Sequence, residues 1–300
     1  MSHRVQFDFA IDFTNGGGIQ GQDFRLDIAG DDISDRELAD YLVRDMRLLM
    51  AGPVRILNKR IIVEAHKRGP SPGRGQAFVD LSHTIEHGLV TYKGLPAPII
   101  CDYLSREQSR GLYAPGTEFQ IGKIEMVANT GTYIDCPFHR YADGDDLSQV
   151  GIEAMCDLEA IVVHADHRDA APGEARAIDT DVFAGRDVRG RAVLVHTGWD
   201  AHWNTPAYFA GNPYLTEGAA ASLRDAGARL VGIDSHNIDD TRGKSRPVHT
   251  ILLGAGILIV EHMTNLGALP DAGFTFSAVP PKFKGVGTFP VRAHAKLRQS

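Results

Sequence analysis

Three cysteines in 300 residues, Cys101, Cys136 and Cys156, are too few and too scattered for a disulfide framework or a CxxC metal knuckle. Such sparse use points to a reducing compartment, and cytoplasm is the expected location. Long apolar runs are missing too. No segment approaches the roughly 18 uninterrupted apolar residues of a membrane span, and the opening MSHRVQFDFAIDF alternates charged and apolar residues where a signal peptide would stay apolar. Neither membrane insertion nor export is expected. Positive charge is in deficit, with 31 Lys plus Arg against 38 Asp plus Glu and a formal charge of −7. No overall field gathers a phosphate backbone, so nucleic acid is not an expected partner. Hydrophobic residues at 43% and charged residues at 23% lie near globular averages, which excludes a disordered or fibrous chain.

What is present first is a small α/β module over residues 1–69. Val5, Phe7, Phe9, Ile11 and Phe13 alternate with polar or small residues, a period of two that predicts a half-buried strand. The break at Asn15-Gly16-Gly17-Gly18 and a second alternation at Phe24, Leu26 and Ile28 predict an antiparallel partner. Ser34 with Glu37 forms a capping box before Leu38, Tyr41, Leu42, Met46 and Leu49, so a helix is expected over 35–51, stopped by Gly52-Pro53. Further strand is expected from Val54 to Val63. The Gly/Pro-rich stretch that follows predicts a linker over 70–77, and a larger domain over 78–300.

In that larger domain, short apolar runs at 159–163, 191–195, 229–233 and 256–260 read as buried strands. Thr216 can cap a helix over EGAAASLRDA that ends at Gly227, directly before the run RLVGI. This is the texture of an α/β sheet, whose strand ends commonly hold ligands. Asp234-Ser235-His236 and Glu261-His262 stand at two such ends.

The densest polar cluster is NTGTYIDCPFH, residues 129–139. Asp135 and His139, four apart around a proline, can share a metal, or the carboxylate can orient the imidazole as a general base; a plain Gly/Pro turn is the alternative. His249 opens an apolar run and Glu261 follows its end. Charges beside so much apolar surface need partners, either a divalent cation or each other. Trp199 and Trp203 can wall a pocket or pack a core, His236 can line the same site, and Cys136 reads as packing.

With these residues in view, the chain resembles the cyclase-like metal-dependent hydrolases, the family of bacterial kynurenine formamidase and isatin hydrolase, whose signature is HxGTHxDxPxH. The blocks FVDLSHTIEHGLVTYKG, VLVHTGWD, LVGIDSHNID, HTILLGAGILIVEHMTNL and PPKFKGVGTFPVRAHA carry the likeness over about residues 78–298. The resemblance implies a swivelling β/β/α fold for this domain, a small-molecule substrate and a homodimer or homotetramer. It further implies that Asp135, His249 and Glu261 are metal ligands and that His139 is the catalytic proton carrier. Two signature histidines, both metal ligands in the family, are replaced here by Asn129 and Tyr133. Neither substitutes well for a neutral imidazole, so one divalent ion is expected where the family has two, zinc ahead of manganese. Asn129 is then a substrate contact together with Trp199, Trp203 and His236, and the Tyr133 phenol an electrophilic aid to an oxyanion. The implied activity is hydrolysis of a small amide, formamide or lactam. Lactone hydrolysis, dehydration or cyclisation at the same site, and ligand binding without turnover, are the alternatives.

Overall fold

The alternating residues at the start of the chain form β1 (Ser2–Phe13), which pairs antiparallel with β2 (Gly18–Ile28) on one side and β3 (Ala51–Glu64) on the other. The computed structural model describes residues 2–14, 16–28, 30–46, 48, 51–64, 78–165 and 176–298. By its internal contacts the chain divides into two units, Met1–Gly75 and Gln76–Ser300. In the first, helix α1 (Asp35–Asp45) starts at the Ser34 capping box and packs Leu38 and Leu42 onto Val5, Phe7, Phe9 and Ile11. The helix is shorter than its apolar spacing predicts. Ala51, the last residue the periodicity assigned to helix, is paired opposite Phe13 in the sheet instead. The expected linker at 70–77 lies outside the described residues.

The second unit carries, in chain order, β4 (Phe78–Asp80), β5 (Ile99–Leu104), the short α2 (Arg106–Ser109), β6 (Ile121–Glu125) and β7 (Tyr133–Asp135). β8 (Leu158–His164), β9 (Ala177–Ile178), β10 (Ala192–His196) and β11 (Tyr214–Leu215) follow. The last part holds α3 (Glu217–Ala226), β12 (Leu230–Ile233), α4 (Pro247–Gly254), β13 (Leu258–Glu261), β14 (Ala272–Ser277), β15 (Thr288–Pro290) and β16 (His294–Leu297). Nine of these strands make one sheet in the order β15-β7-β13-β12-β10-β8-β14-β16-β4. Its centre, β8, β10, β12 and β13, is parallel and corresponds to the four apolar runs of the sequence.

Both faces of that centre are buried, which explains why the runs are continuous rather than alternating. One face, through Ile161, Val163, Val193, Val195 and Val231, meets Ala219 and Leu223 of α3 and Val248 and Leu252 of α4. The other, through Val162, Leu194, Leu230 and Val260, packs against Phe274, Phe276 and Ala295 as the sheet curls round its own core. Each Val, Leu or Ile side chain fully buried this way contributes roughly 1.5–3 kcal/mol. The unit is thus a mixed α/β fold, a curled β-sheet with few helices. Among the described residues no helix is long and apolar enough to cross a membrane.

Thr216 caps α3 by accepting from the Ala219 N–H, and Gly227 ends it at φ 81°, a left-handed turn that glycine adopts without strain. The chain then enters β12 directly. The α4–β13 pair repeats this helix-to-strand step and brings His249 and Glu261 to one place.

Candidate functional site

Three neighbouring strands build the floor of the site. β7 runs antiparallel between β13 and β15, so that Glu261 lies opposite Tyr133, and Asp135 lies opposite both Ile259 and Thr288. Alternation along β7 sends Ile134 into the apolar core and puts Tyr133 and Asp135 together on the other face. After Asp135 the chain turns through Pro137–His139, a single 3-10 turn that returns His139 over the carboxylate. The backbone of Gly287 runs so close beneath that a Cβ there would stand 2.3 Å from the His139 nitrogen. Only glycine permits that approach.

One ligand atom from each of Asp135, His139 and His249 lies within 4.8 Å of the others. His249 Nε2 is 3.7 Å from Asp135 Oδ2 and 3.8 Å from Glu261 Oε1. Asp135 Oδ2 is buried and has no hydrogen-bond partner among the described residues. A bare carboxylate oxygen in such a place is costly unless a cation meets it. A carboxylate and two imidazoles within reach of each other suit a borderline divalent metal, and Glu261 stands beside this group at His249 Nε2.

The residues behind these groups fix their orientation. His249 Nδ1 donates to Asp239 Oδ2 at 2.6 Å, which leaves Nε2 facing the site, and Asp239 is itself held by the Val248 and His249 amides. Burial opposes a charge on His249, yet the Asp135, Asp239 and Glu261 carboxylates outweigh it and lift its pKa to about 10. An imidazolium therefore partly balances the cluster when no other cation does. Burial pushes Glu261 up to about 7 against the pull of His249, with the charge of Asp135 adding to the rise.

Thr288 Oγ1 donates its only proton to Asp135 Oδ1, because a carboxylate can only accept. Its lone pair then accepts from His139 Nδ1, 2.8 Å away. Neutral His139 is accordingly the Nδ1–H tautomer, with Nε2 left to take a proton.

Tyr133 does not face an oxyanion in the way the sequence suggests. Its hydroxyl donates to Glu261 Oε2 at 2.7 Å and lies 3.3 Å from His262 Nε2, whose Nδ1 in turn accepts from the Tyr208 hydroxyl at 2.9 Å. Burial first, and then the Glu261 charge, push the phenol well above its usual pKa, so it stays neutral and acts as a donor rather than a metal ligand. The other Glu261 oxygen accepts the Ile238 amide at 2.7 Å. His262 is fully buried, and burial holds it neutral, well below the usual histidine range.

These groups open into a cavity of about 700 Å³, lined among others by Tyr92, Asn129, Tyr133, His139, His249 and Glu261. Asn129 lines this cavity. Trp199, Trp203 and His236 do not line this cavity, which corrects the expectation for them. The Trp199 indole donates to the Tyr208 carbonyl at 3.1 Å and lies under Arg176. Trp203 stacks on His83 with ring centroids 3.9 Å apart. His236 is buried behind Tyr92, among Tyr208, Phe209 and His262. Cys136 packs in the core, where burial raises its thiol to about 11. Asp239 and Thr288 were assigned no role from sequence, although both lie inside blocks that carry the resemblance; that position is the one signal that could have drawn them out.

The chain is 26% identical over 217 residues to the kynurenine formamidase of Geobacillus thermodenitrificans, covering 72% of this chain and 95% of that one. The kynurenine formamidase of Bacillus cereus is 24% identical over 217 residues, with 72% and 95% covered. Among solved structures, isatin hydrolase A from Labrenzia aggregata superposes with a TM-score of 0.64 at 23% identity, over 75% of this chain and 94% of that one. A predicted metal-dependent hydrolase from Bacillus stearothermophilus gives a TM-score of 0.57 at 24% identity, over 74% and 99%. The model of the Cyclase family, described as "Putative cyclase", matches residues 79–240, more than half of the chain, and the chain belongs to that family.

Proposed function

We propose that the chain is a metal-dependent hydrolase of a small amide, formamide or lactam, working with one divalent ion. The observation that carries this reading is the buried, unpartnered Oδ2 of Asp135 facing His249 Nε2 beside Glu261. Similarity to kynurenine formamidases and to an isatin hydrolase supports the choice of bond. Zinc is the first expectation for the ion and manganese the second. When bound, the ion supplies Lewis acidity to a carbonyl oxygen and lowers the pKa of water.

The chain's own residues do the rest. Asp135, His249 and Glu261 hold the ion, and Asp239 and Tyr133 fix the two latter side chains. His139, with its Nδ1 proton tied to Thr288, receives the proton of water at Nε2 and returns it to the leaving nitrogen. His139 is half-exposed, with 35% of its side chain accessible, which supports this role.

The test is hydrolysis of formanilide by zinc-loaded protein, followed by release of aniline. His139→Ala is expected to retain the metal and lower kcat by about 100-fold or more. Full activity in that variant removes His139 from the reaction. A metal-loaded wild type inert toward formamides, lactams and simple amides alike overturns the reading and leaves a binding pocket.

A further inference from the structure

A second pair of imidazoles lies further along the sheet, three strands from β7. β8 and β10 run parallel, and their last residues, His164 and His196, stand opposite each other at the carboxyl ends of the strands. Their Nδ1 atoms meet at 3.1 Å, with the rings nearly perpendicular. The other nitrogen of each ring faces a carboxylate. His164 Nε2 lies 3.1 Å from Asp271 Oδ1, and His196 Nε2 lies 3.9 Å from Asp234 Oδ2. Asp271 is set by its carbonyl, which accepts the Val162 amide of β8, and its second oxygen meets Arg186 Nη1 at 3.5 Å. Asp234 accepts the Thr197 and Gly198 amides at 2.8 and 2.9 Å. The backbone of Gly267 lies against the His196 ring, where a Cβ would stand 3.1 Å from Cε1.

A carboxylate can only accept, so His164 Nε2 carries a proton toward Asp271. Neutral His164 then offers a lone pair at Nδ1, and a single proton, that of His196 Nδ1, lies between the two rings. In that state the proton of His196 is not on Nε2, the nitrogen that faces Asp234. A divalent ion between the Nδ1 atoms lets this proton move to Nε2 with none gained or lost. Each imidazole then turns a lone pair to the metal and an N–H to a carboxylate, the usual backing of a metal-bound histidine. Zinc–nitrogen bonds of about 2.0–2.1 Å put two ligands of a tetrahedral ion about 3.3 Å apart, close to the separation already present. Among the described residues the group of three potential ligands in mutual reach is the one at Asp135. Here the two nitrogens are the protein's contribution, and water fills the other positions. The His164 side chain is 45% accessible and that of His196 14%, so an ion reaches them from solvent.

We propose that His164 and His196 form a second, exchangeable zinc site at the ends of β8 and β10, completed by water and backed by Asp271 and Asp234. The site is separate from the one at Asp135 and independent of the hydrolase reading. With only two protein ligands and open access to solvent, it holds its ion while free zinc is present and gives it up when excess ion is removed.

The test is equilibrium dialysis of the full-length chain against an excess of free zinc, read as the difference between variants. His164→Gln, at a half-exposed position where the fold is not at stake, is expected to bind about one zinc fewer per chain than the wild type, and His196→Gln to lose the same ion. Asp135→Ala keeps it, and His164→Gln combined with Asp135→Ala loses both. Asp271→Asn is expected to weaken the second site about tenfold, as loss of a carboxylate behind a ligating histidine does. His87→Gln, which removes an exposed histidine elsewhere, leaves the zinc content unchanged. Equal zinc in the wild type and His164→Gln overturns the proposal, as does an equal loss in His87→Gln, which would mark general surface binding. Loss of one ion in both His164→Gln and His196→Gln, with no further loss in Asp135→Ala, keeps this site and removes the ion proposed for the hydrolase. The converse pattern removes this site alone.

Discussion

Thr288 has one hydroxyl proton and two neighbours that want it, and the carboxylate of Asp135 can do nothing but accept. The direction of that bond decides the tautomer of His139. Thr288→Val keeps the volume and removes the relay, so kcat is expected to fall about 10- to 100-fold with metal content unchanged. Steady-state kinetics beside elemental analysis check this; a fall in bound metal would place Thr288 in the metal site instead. Asp135, His139, His249 and Glu261 stood out in the sequence as carboxylates and imidazoles next to glycine, proline or apolar runs, and the family resemblance supplied the roles proposed for them. Thr288 and Asp239 were not, since a threonine and an aspartate are common residues whose meaning lies in a partner. For Thr288 that partner, Asp135, is 153 positions away. Tyr133 was visible as a departure from a pattern, but its new role depended on Glu261 and His262, which only strand pairing brings beside it.

At the scale of elements, the site depends on strands that meet with little room to spare. Gly287→Ala would set a Cβ 2.3 Å from the His139 nitrogen, and backbone rather than a flexible side chain must give way. A cost of about 1–3 kcal/mol is expected, together with loss of turnover as His139 is displaced. Chemical denaturation and kinetics on the same variant check both parts; unchanged activity would mean that the His139 turn tolerates movement. The parallel strands and α3 could be read ahead because continuous apolar runs and a Thr cap with a Gly stop are local signals. The end of α1 could not. Leu49 continues the helical spacing, whereas Ala51 answers to a strand partner at Phe13, which local periodicity does not record.

For the whole molecule, the two units each have their own apolar core, one gathered on β1 and α1 and the other on both faces of the nine-stranded sheet. A chain beginning at residue 76 is therefore expected to fold cooperatively, retaining the near-ultraviolet dichroism of its buried tryptophan and tyrosine residues. A non-cooperative melt would show that the second unit needs the first. The acidic composition argues against a nucleic-acid partner, while the gathering of Arg140, Lys244 and Arg246 at one cavity appears only on folding.

In the proposed site Asp135, His249 and Glu261 converge on one divalent ion, and Asn129 and Tyr133 stand where the family resemblance implies ligands of a second. Its most direct test is the metal content of protein stripped with chelator, reloaded with zinc and freed of excess ion. About one zinc per chain is predicted for the wild type and almost none for Asp135→Ala. A wild type that retains no metal, or an Asp135→Ala chain that retains as much as the wild type, would contradict it.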